Sequence, residues 1–101
     1  MSKFSVIFSI VNNGFAETAM DTARKFGATG GTVLHARGTA SKEAEKIYGI
    51  TIEPDKEIVM ILIAEENKKD VLLGLYDEVG VSTPAQGIAF TLPVEEVIGI
   101  Q

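Results

Sequence analysis

Hydrophobic positions recur along the chain with two different periods. Alternation of apolar and polar residues predicts strands, whereas apolar residues three and four apart predict the buried face of a helix. On these patterns the predicted strands are residues 3–11, 32–37, 57–64 and 88–92, and the predicted helices are residues 15–26 and 67–79. Residues 97–100 predict a further short strand at the end of the chain.

The strands are apolar on more than one face. Every position from Ile58 to Ile63 is apolar, which is typical of a strand covered on both sides. In the last strand, Ile88, Phe90 and Leu92 are predicted to point inward. The first strand also carries apolar residues on both of its faces, so the sheet as a whole needs cover on each side.

The helix ends are marked by polar residues and glycines. Asn13 is predicted to be the N-cap of the first helix, because its side chain can accept a hydrogen bond from a free backbone N–H group. Gly27 is predicted to end that helix as a C′ glycine, and Gly80 is predicted to end the second helix.

The order β-α-β-β-α-β predicts an α+β, ferredoxin-like fold, in which two helices cover one face of an antiparallel sheet. Residues 1–101 are predicted to be a single domain, since that length is near the commonest domain size. The other face of the sheet is left bare, and its apolar strands would meet water. We therefore expect an obligate homo-oligomer.

Composition excludes several classes of protein. The net charge is −5 with only 9 basic residues, which argues against nucleic-acid binding. The third predicted strand also lacks aromatic residues for stacking RNA bases. With no long apolar run and a first segment patterned like a strand, we expect no membrane insertion and a cytoplasmic location. No cysteine is available for a disulfide or a thiolate metal site.

Few side chains suggest catalysis or metal binding. His35 is the only histidine, and no partner stands at a metal-site spacing from it, so no metal is predicted. Arg37 has two interpretations, clamping an anion or pairing with Glu57 or another acid across the loop. A small enzyme such as an acylphosphatase would need an arginine after the first strand, where Asn12 and Asn13 stand. We expect the protein not to be an enzyme.

Three segments carry a resemblance to a known family: GATGGTVLHARG at 27–38, EIVMILI at 57–63 and GIAFTLPVEEVIGI at 87–100. They resemble, in order, the nitrogen-regulatory P-II signalling proteins. The resemblance implies a ferredoxin-like homotrimer with no obligatory cofactor. It also implies that ATP, ADP or AMP is an effector bound between subunits, often with 2-oxoglutarate, and that a long T-loop engages an enzyme, a transporter or a regulator.

The same resemblance implies positions for the functional residues. The ligand-binding residues it implies in the inter-subunit cleft are Ile10, Thr32, Arg37, Gly38, Glu57 and Gly87. Residues 39–56 correspond to a shortened T-loop, in which the partner-contacting residues would be Ser41, Lys42, Glu45 and Tyr48.

The chain also departs from the family at its cationic positions. Ile88 follows Gly87 where the family has a lysine, and Gly99 and Gln101 replace basic residues near the end of the chain. The loss of these cations removes charge-assisted contacts to a triphosphate. Two hypotheses therefore stand: a regulator that senses an adenine nucleotide or another small anion, and a P-II-fold protein whose degenerate nucleotide site senses a different ligand or serves only as an interaction module.

Overall fold

The computed structural model of the protein describes residues 3–39, 46, 49 and 53–99. The strands are β1 (Phe4–Asn12), β2 (Thr32–Arg37), β3 (Asp55–Ala64) and β4 (Ile88–Pro93). The helices are α1 (Ala16–Lys25) and α2 (Lys68–Val79), and a 3₁₀ turn at Glu65–Asn67 leads into α2.

The strands form one antiparallel sheet in the order β2-β3-β1-β4. Both helices pack on the same face of this sheet, α1 against β3 and α2 against β1 and β4, and they also contact each other. The order and the layering are those of the predicted ferredoxin-like fold, which is therefore confirmed. Because β1 and β3 lie in the centre, β2 and β4 are the edges of the sheet.

A single hydrophobic cluster fills the space between the helices and the sheet. The odd-numbered residues of β1, and those of β3 from Val59 to Ile63, face the helices and are almost fully buried. They meet an alanine-rich face of α1 and the stripe of Val71, Leu75 and Val79 on α2.

The residues of β4 that were predicted to point inward lie on the opposite face of the sheet. Ile88, Phe90 and Leu92 are 58%, 43% and 49% exposed. In the register they stand beside even-numbered residues of β1, and the rings of Phe8 and Phe90 stack with their centroids 5.3 Å apart. That prediction was wrong because the helix-facing positions of β4 carry small residues, such as Ala89, that leave room for α2.

The two ends of α1 differ in how well they were predicted. Gly27 ends the helix in a Schellman motif, in which its N–H donates to the Arg24 carbonyl oxygen and the Ala28 N–H donates to that of Ala23. Its φ of +108° explains the preference for glycine. Asn13 does not cap the helix, because α1 begins after Phe15 with no cap from a side chain of its own segment.

A strand was predicted at residues 97–100, and the described part of that segment, residues 97–99, is not a strand. Residues 94–99 form no strand, and residue 100 lies outside the described residues. Ile98 is 98% exposed in this segment. None of the described helices is both long enough and apolar enough to cross a membrane.

Candidate functional site

Four strand ends meet at one end of the sheet, and most of the predicted ligand residues lie there. Because the strands are antiparallel, the last residues of β1 and β2 are level with the first residues of β3 and β4. Ile10 stands between Ile58 and Ile88, next to Gly87, while Arg37 stands opposite Asp55. The structure therefore brings Ile10, Arg37, Gly38, Glu57 and Gly87 to the same end of the sheet.

A polar cluster around Asn12 lies at this end and was not predicted as part of a site. Lys56 donates from Nζ to Asn12 Oδ1 over 2.6 Å. Asn12 Nδ2 donates to the Pro84 carbonyl oxygen at 3.0 Å and, more weakly, to Gln86 Oε1 at 3.4 Å. The asparagine thus fixes the Lys56 ammonium group relative to the turn at residues 80–87. No sequence pattern indicates this contact, because it depends on the register between β1 and β3.

Gly38 provides the space that the Lys56 side chain occupies. A Cβ atom at Gly38 would lie 3.0 Å from Lys56 Cε, closer than ordinary van der Waals contact. The Gly38 N–H also donates to the Pro54 carbonyl oxygen at 2.7 Å, which closes the base of the segment between β2 and β3. Gly38 therefore determines how the chain leaves the sheet and where the Lys56 stem lies.

The Glu57 carboxylate already accepts hydrogen bonds from the backbone at the start of α1. Its Oε1 atom accepts the N–H of Gly14 at 2.7 Å and the N–H of Ala16 at 3.2 Å. A carboxylate at this position compensates the free N–H groups and the positive end of the helix dipole. It takes the capping role that was predicted for Asn13.

The ion pair between Arg37 and Glu57 that the sequence left open does not form. Among the described residues the Arg37 guanidinium has no ion-pair partner, and the residue is exposed. Arg37 remains a cation at the rim of the sheet, available to an anion.

Gly87 is packed too closely for any side chain. A Cβ atom there would lie 2.2 Å from the Val79 carbonyl oxygen and 3.2 Å from that of Ile10. The Gly87 N–H donates to the same Val79 oxygen at 2.9 Å, so the turn at residues 80–87 is held against the end of α2. The N–H group of Gly87 is consequently not available to a ligand, although the turn holds Gln86 beside Asn12.

Thr32 lies away from the other predicted residues, at the opposite end of β2. It stands opposite Met60 and lines a shallow pocket of about 320 Å³ with Gly30, Gly31 and Leu62. Arg37 is five residues further along the same strand, which corresponds to about 16 Å at the usual rise per residue. Within a single chain, Thr32 is therefore too far from Lys56 and Asn12 to share a binding site with them.

The predicted partner-contacting residues Ser41, Lys42, Glu45 and Tyr48 lie outside the described residues. Residues 55 and 56, which were assigned to the end of the T-loop-like segment, belong to β3. His35 is exposed on β2, and the described residues contain no cluster of three or more potential metal ligands.

The perturbed carboxyl group of the described residues lies at the other end of the sheet. The pKa of Glu65 is lowered by the hydrogen bond from Lys68 and, to a smaller extent, by one from the Ser5 hydroxyl. Both donors belong to the junction of β1 with the start of α2, so this interaction is a structural link and lies outside the candidate site.

Solved structures share this architecture, although no family model and no curated protein sequence matches the chain. The PII protein of Arabidopsis thaliana, solved with citrate bound, superposes with a TM-score of 0.72 and 22% identity, covering 99% of this chain and 82% of that one. A DUF3240 family protein from Shewanella baltica superposes with a TM-score of 0.69 and 13% identity over the full length of both chains. A putative PII-like signalling protein from Thermus thermophilus superposes with a TM-score of 0.65 and 17% identity, covering 88% of this chain and 83% of that one.

The fold is therefore ferredoxin-like and, within that class, is the fold of P-II proteins. The resemblance read from the sequence is confirmed at the level of the fold. At these identities the likeness extends to the architecture and its strand order, and leaves the ligand and the partner to be argued from the residues themselves.

Proposed function

We propose that the protein is a P-II-like signalling protein that binds a small anionic effector at the end of its sheet. The observation that carries this proposal is the Lys56 ammonium group, held by Asn12 Oδ1 at the place where four strand ends meet. Gln86 adds an amide beside Asn12, and Arg37 lies at the same end of the sheet but on its other face. The segment that leaves the sheet after Gly38 would report the bound effector to a partner, such as an enzyme, a transporter or another regulator.

The charges favour an effector with few negative charges. Lys56 is the cation on the open face of the site, whereas Arg37 lies on the other face of the sheet, directly opposite Asp55. Ile88 replaces the lysine that the family resemblance implies after the glycine-rich turn. AMP, ADP or a small carboxylate fits this charge balance better than ATP does, and citrate is the ligand bound to the similar Arabidopsis protein. If nucleotides do not bind, the degenerate-site hypothesis, with a different small anion, takes their place.

We further propose that the protein is a homotrimer whose effector sites lie between subunits. The face of the sheet away from the helices is almost entirely apolar, with Leu34, Ile88, Phe90 and Leu92 each more than 40% exposed. A surface of this kind on a cytoplasmic protein is expected to be covered by another subunit. The same assembly would explain Thr32, because a neighbouring subunit could bring its own Thr32 to the Lys56 cluster.

A ligand panel tests the effector site directly. The unfolding temperature of the protein is measured with ATP, ADP, AMP, 2-oxoglutarate, citrate and bicarbonate. A ligand present at about 100 times its Kd adds roughly 2.7 kcal/mol to the free energy of unfolding. We expect AMP, ADP or a carboxylate to stabilise the protein more than ATP does.

A pair of lysine variants localises the effect. Lys56→Met keeps the aliphatic stem but removes the charge, and it should weaken the binding of the stabilising anion about tenfold or more. Lys69→Met, at an exposed position of α2, is the matched control and should leave the affinity unchanged. Equal affinities of the two variants, or no stabilisation by any of the six compounds at millimolar concentration, would overturn the proposal.

A further inference from the structure

A second pocket lies on the helix side of the sheet. It has a volume of about 350 Å³ and is enclosed by α2, the turn at residues 80–87 and β4. Its walls are apolar and include Leu72, Tyr76, Val81 and Ala89. Tyr76 and Val81 are more than 60% exposed at its mouth, so the pocket opens to solvent. A volume of this size lies at the small end of the range of ligand pockets.

A buried hydroxyl group without a hydrogen-bond partner lies in this mostly apolar surface. Ser9 lines the pocket, is only 1% exposed, and its Oγ atom makes no hydrogen bond to any described residue. Buried hydroxyl groups nearly always have a partner, because burial removes the hydrogen bonds they make to water. Ala89 stands opposite Ser9 in the register, and both residues line the pocket, so a small side chain is the β4 neighbour of the hydroxyl. A ligand with one polar group could satisfy it.

The electrostatic surroundings select the charge of that ligand. The pocket adjoins the C-terminal end of α2, which carries the partial negative charge of the helix dipole. The last turn of α2 contains Asp77 and Glu78 and no basic residue. An anion is disfavoured in these surroundings, in contrast to the cationic end of the sheet around Lys56.

We propose that this pocket binds a small, neutral, mostly apolar molecule that hydrogen bonds to the Ser9 hydroxyl through a single hydroxyl or carbonyl group. This site does not depend on the proposed effector site, because it uses different side chains and a ligand of different charge.

Three probes of similar size separate the contributions of the apolar ring, the hydroxyl group and the charge to binding. Benzyl alcohol has an apolar ring and one hydroxyl, ethylbenzene is nearly the same shape without the hydroxyl, and benzoate carries a negative charge. Each is titrated into the ¹⁵N-labelled protein, and backbone amide shifts are followed by NMR. We expect benzyl alcohol to shift the amides of Ser9, Gly80 and Ala89 with the highest affinity, ethylbenzene to bind more weakly, and benzoate to bind least.

Three variants assign the interaction. Ser9→Ala should weaken benzyl alcohol binding about fivefold to tenfold and leave ethylbenzene unaffected, since one neutral hydrogen bond is lost. Thr91→Val is the matched control, because Thr91 Oγ1 is also buried without a partner but does not line the pocket. Ala89→Leu should fill the pocket and abolish binding of both probes, provided that its amide spectrum remains dispersed.

The proposal is wrong if benzyl alcohol causes no localised shifts at millimolar concentration, or if Ser9→Ala and Thr91→Val bind it equally. It is also wrong if Ser9→Ala changes the mass of the assembly in light scattering, because the hydroxyl would then be serving a contact between copies of the chain.

Discussion

Three atoms would crowd a Cβ atom added at Gly87: the Val79 carbonyl oxygen, the Val11 Cγ1 atom and the Ile10 carbonyl oxygen. Gly38 faces a different neighbour, the aliphatic stem of Lys56. The two glycines therefore have separate roles. Gly87 lets the turn at residues 80–87 pack against the end of α2, and Gly38 leaves space for the Lys56 side chain. Both were predicted as site residues, and in the structure both act by leaving space.

Gly87→Ala should lower the free energy of unfolding by about 2 kcal/mol, because the added Cβ would force the backbone away from Val79 and weaken the 2.9 Å hydrogen bond there. Urea denaturation measures the change. Gly30→Ala is the control, since a Cβ at Gly30 would meet no atom within 4 Å. Equal stability of the two variants would show that the turn adapts without loss.

At the residue scale, the sequence indicated the glycines and Arg37, which lie at the proposed end of the sheet, but it did not indicate Asn12 and Lys56. The glycines and Arg37 stand in a stretch whose resemblance to P-II proteins could be read directly. The contact between Asn12 and Lys56 joins residues 44 positions apart, and it follows only from the pairing of β1 with β3. A shift of one residue in that register would place the two side chains on opposite faces of the sheet. The ligand role of the six predicted residues stays a prediction.

At the scale of elements, carboxylates from outside the helices fasten the helix starts to the sheet. Glu57 of β3 accepts two backbone N–H groups at the beginning of α1. Glu65, in the 3₁₀ turn that leads into α2, accepts hydrogen bonds from Ser5 of β1 and from Lys68. Periodicity located both helices, but it could not identify these contacts, because their acceptors are distant in sequence or lie outside the apolar pattern.

The Glu65 contacts predict a dependence of stability on pH. The pKa of Glu65 is lowered below its usual value of 4.5 in the folded protein, first by the hydrogen bond from Lys68. Its contribution to stability is therefore complete above the unfolded-state pKa and is lost as the pH falls through the folded-state pKa. Wild type should be more stable than Glu65→Gln at pH 7, and the difference should disappear at low pH, below the lowered folded-state pKa.

Chemical denaturation at both pH values measures this difference. Glu66→Gln is the control, because Glu66 is an exposed neighbour in the same turn. A gap between wild type and Glu65→Gln that is as large at low pH as at pH 7 would assign the effect to packing and not to ionisation.

The face of an element was harder to predict than its position. The bounds of β2 agree with the prediction, and those of the other strands differ by one or two residues. The inward face of β4 was nevertheless assigned wrongly, since alternation shows that a strand has two faces but not which of them the helices cover. In β4 the larger apolar residues lie on the open face and small residues lie beneath α2.

At the scale of the molecule, the correction to β4 strengthens the expectation of an assembly. Ile88, Phe90 and Leu92 join the apolar even-numbered residues of β1 and β3 in one continuous surface. The apolar residues that led to the expectation of an oligomer are thus concentrated on the face that the helices leave bare. Sequence analysis could predict the existence of this surface, although not that β4 contributes its largest side chains to it.

Phe90→Glu should dissociate the assembly. Phe90 is 43% exposed in the single chain, so a charge there is compatible with the folded subunit, but it cannot be buried cheaply between subunits. Size-exclusion chromatography with light scattering should give three times the 10.8 kDa chain mass for wild type and the single chain mass for the variant. Leu73→Glu, at an exposed apolar position of α2, is the control and should remain trimeric. A monomeric wild type would contradict the proposed assembly.

A mixing experiment tests whether the effector site is shared between subunits. Thr32→Trp should block the proposed cleft through one subunit, and Lys56→Met should disable it through the neighbour, so each pure trimer loses effector binding. If each site combines Lys56 of one subunit with Thr32 of the next, a trimer containing both variants has some sites with neither change. Unfolding and refolding an equal mixture should then restore about a quarter of the wild-type binding capacity, because the two unaltered residues come from different chains with equal chance. Isothermal titration with the effector measures the number of sites. No recovery in a mixture that light scattering shows to be trimeric would mean that Lys56 and Thr32 act within one chain or in separate sites.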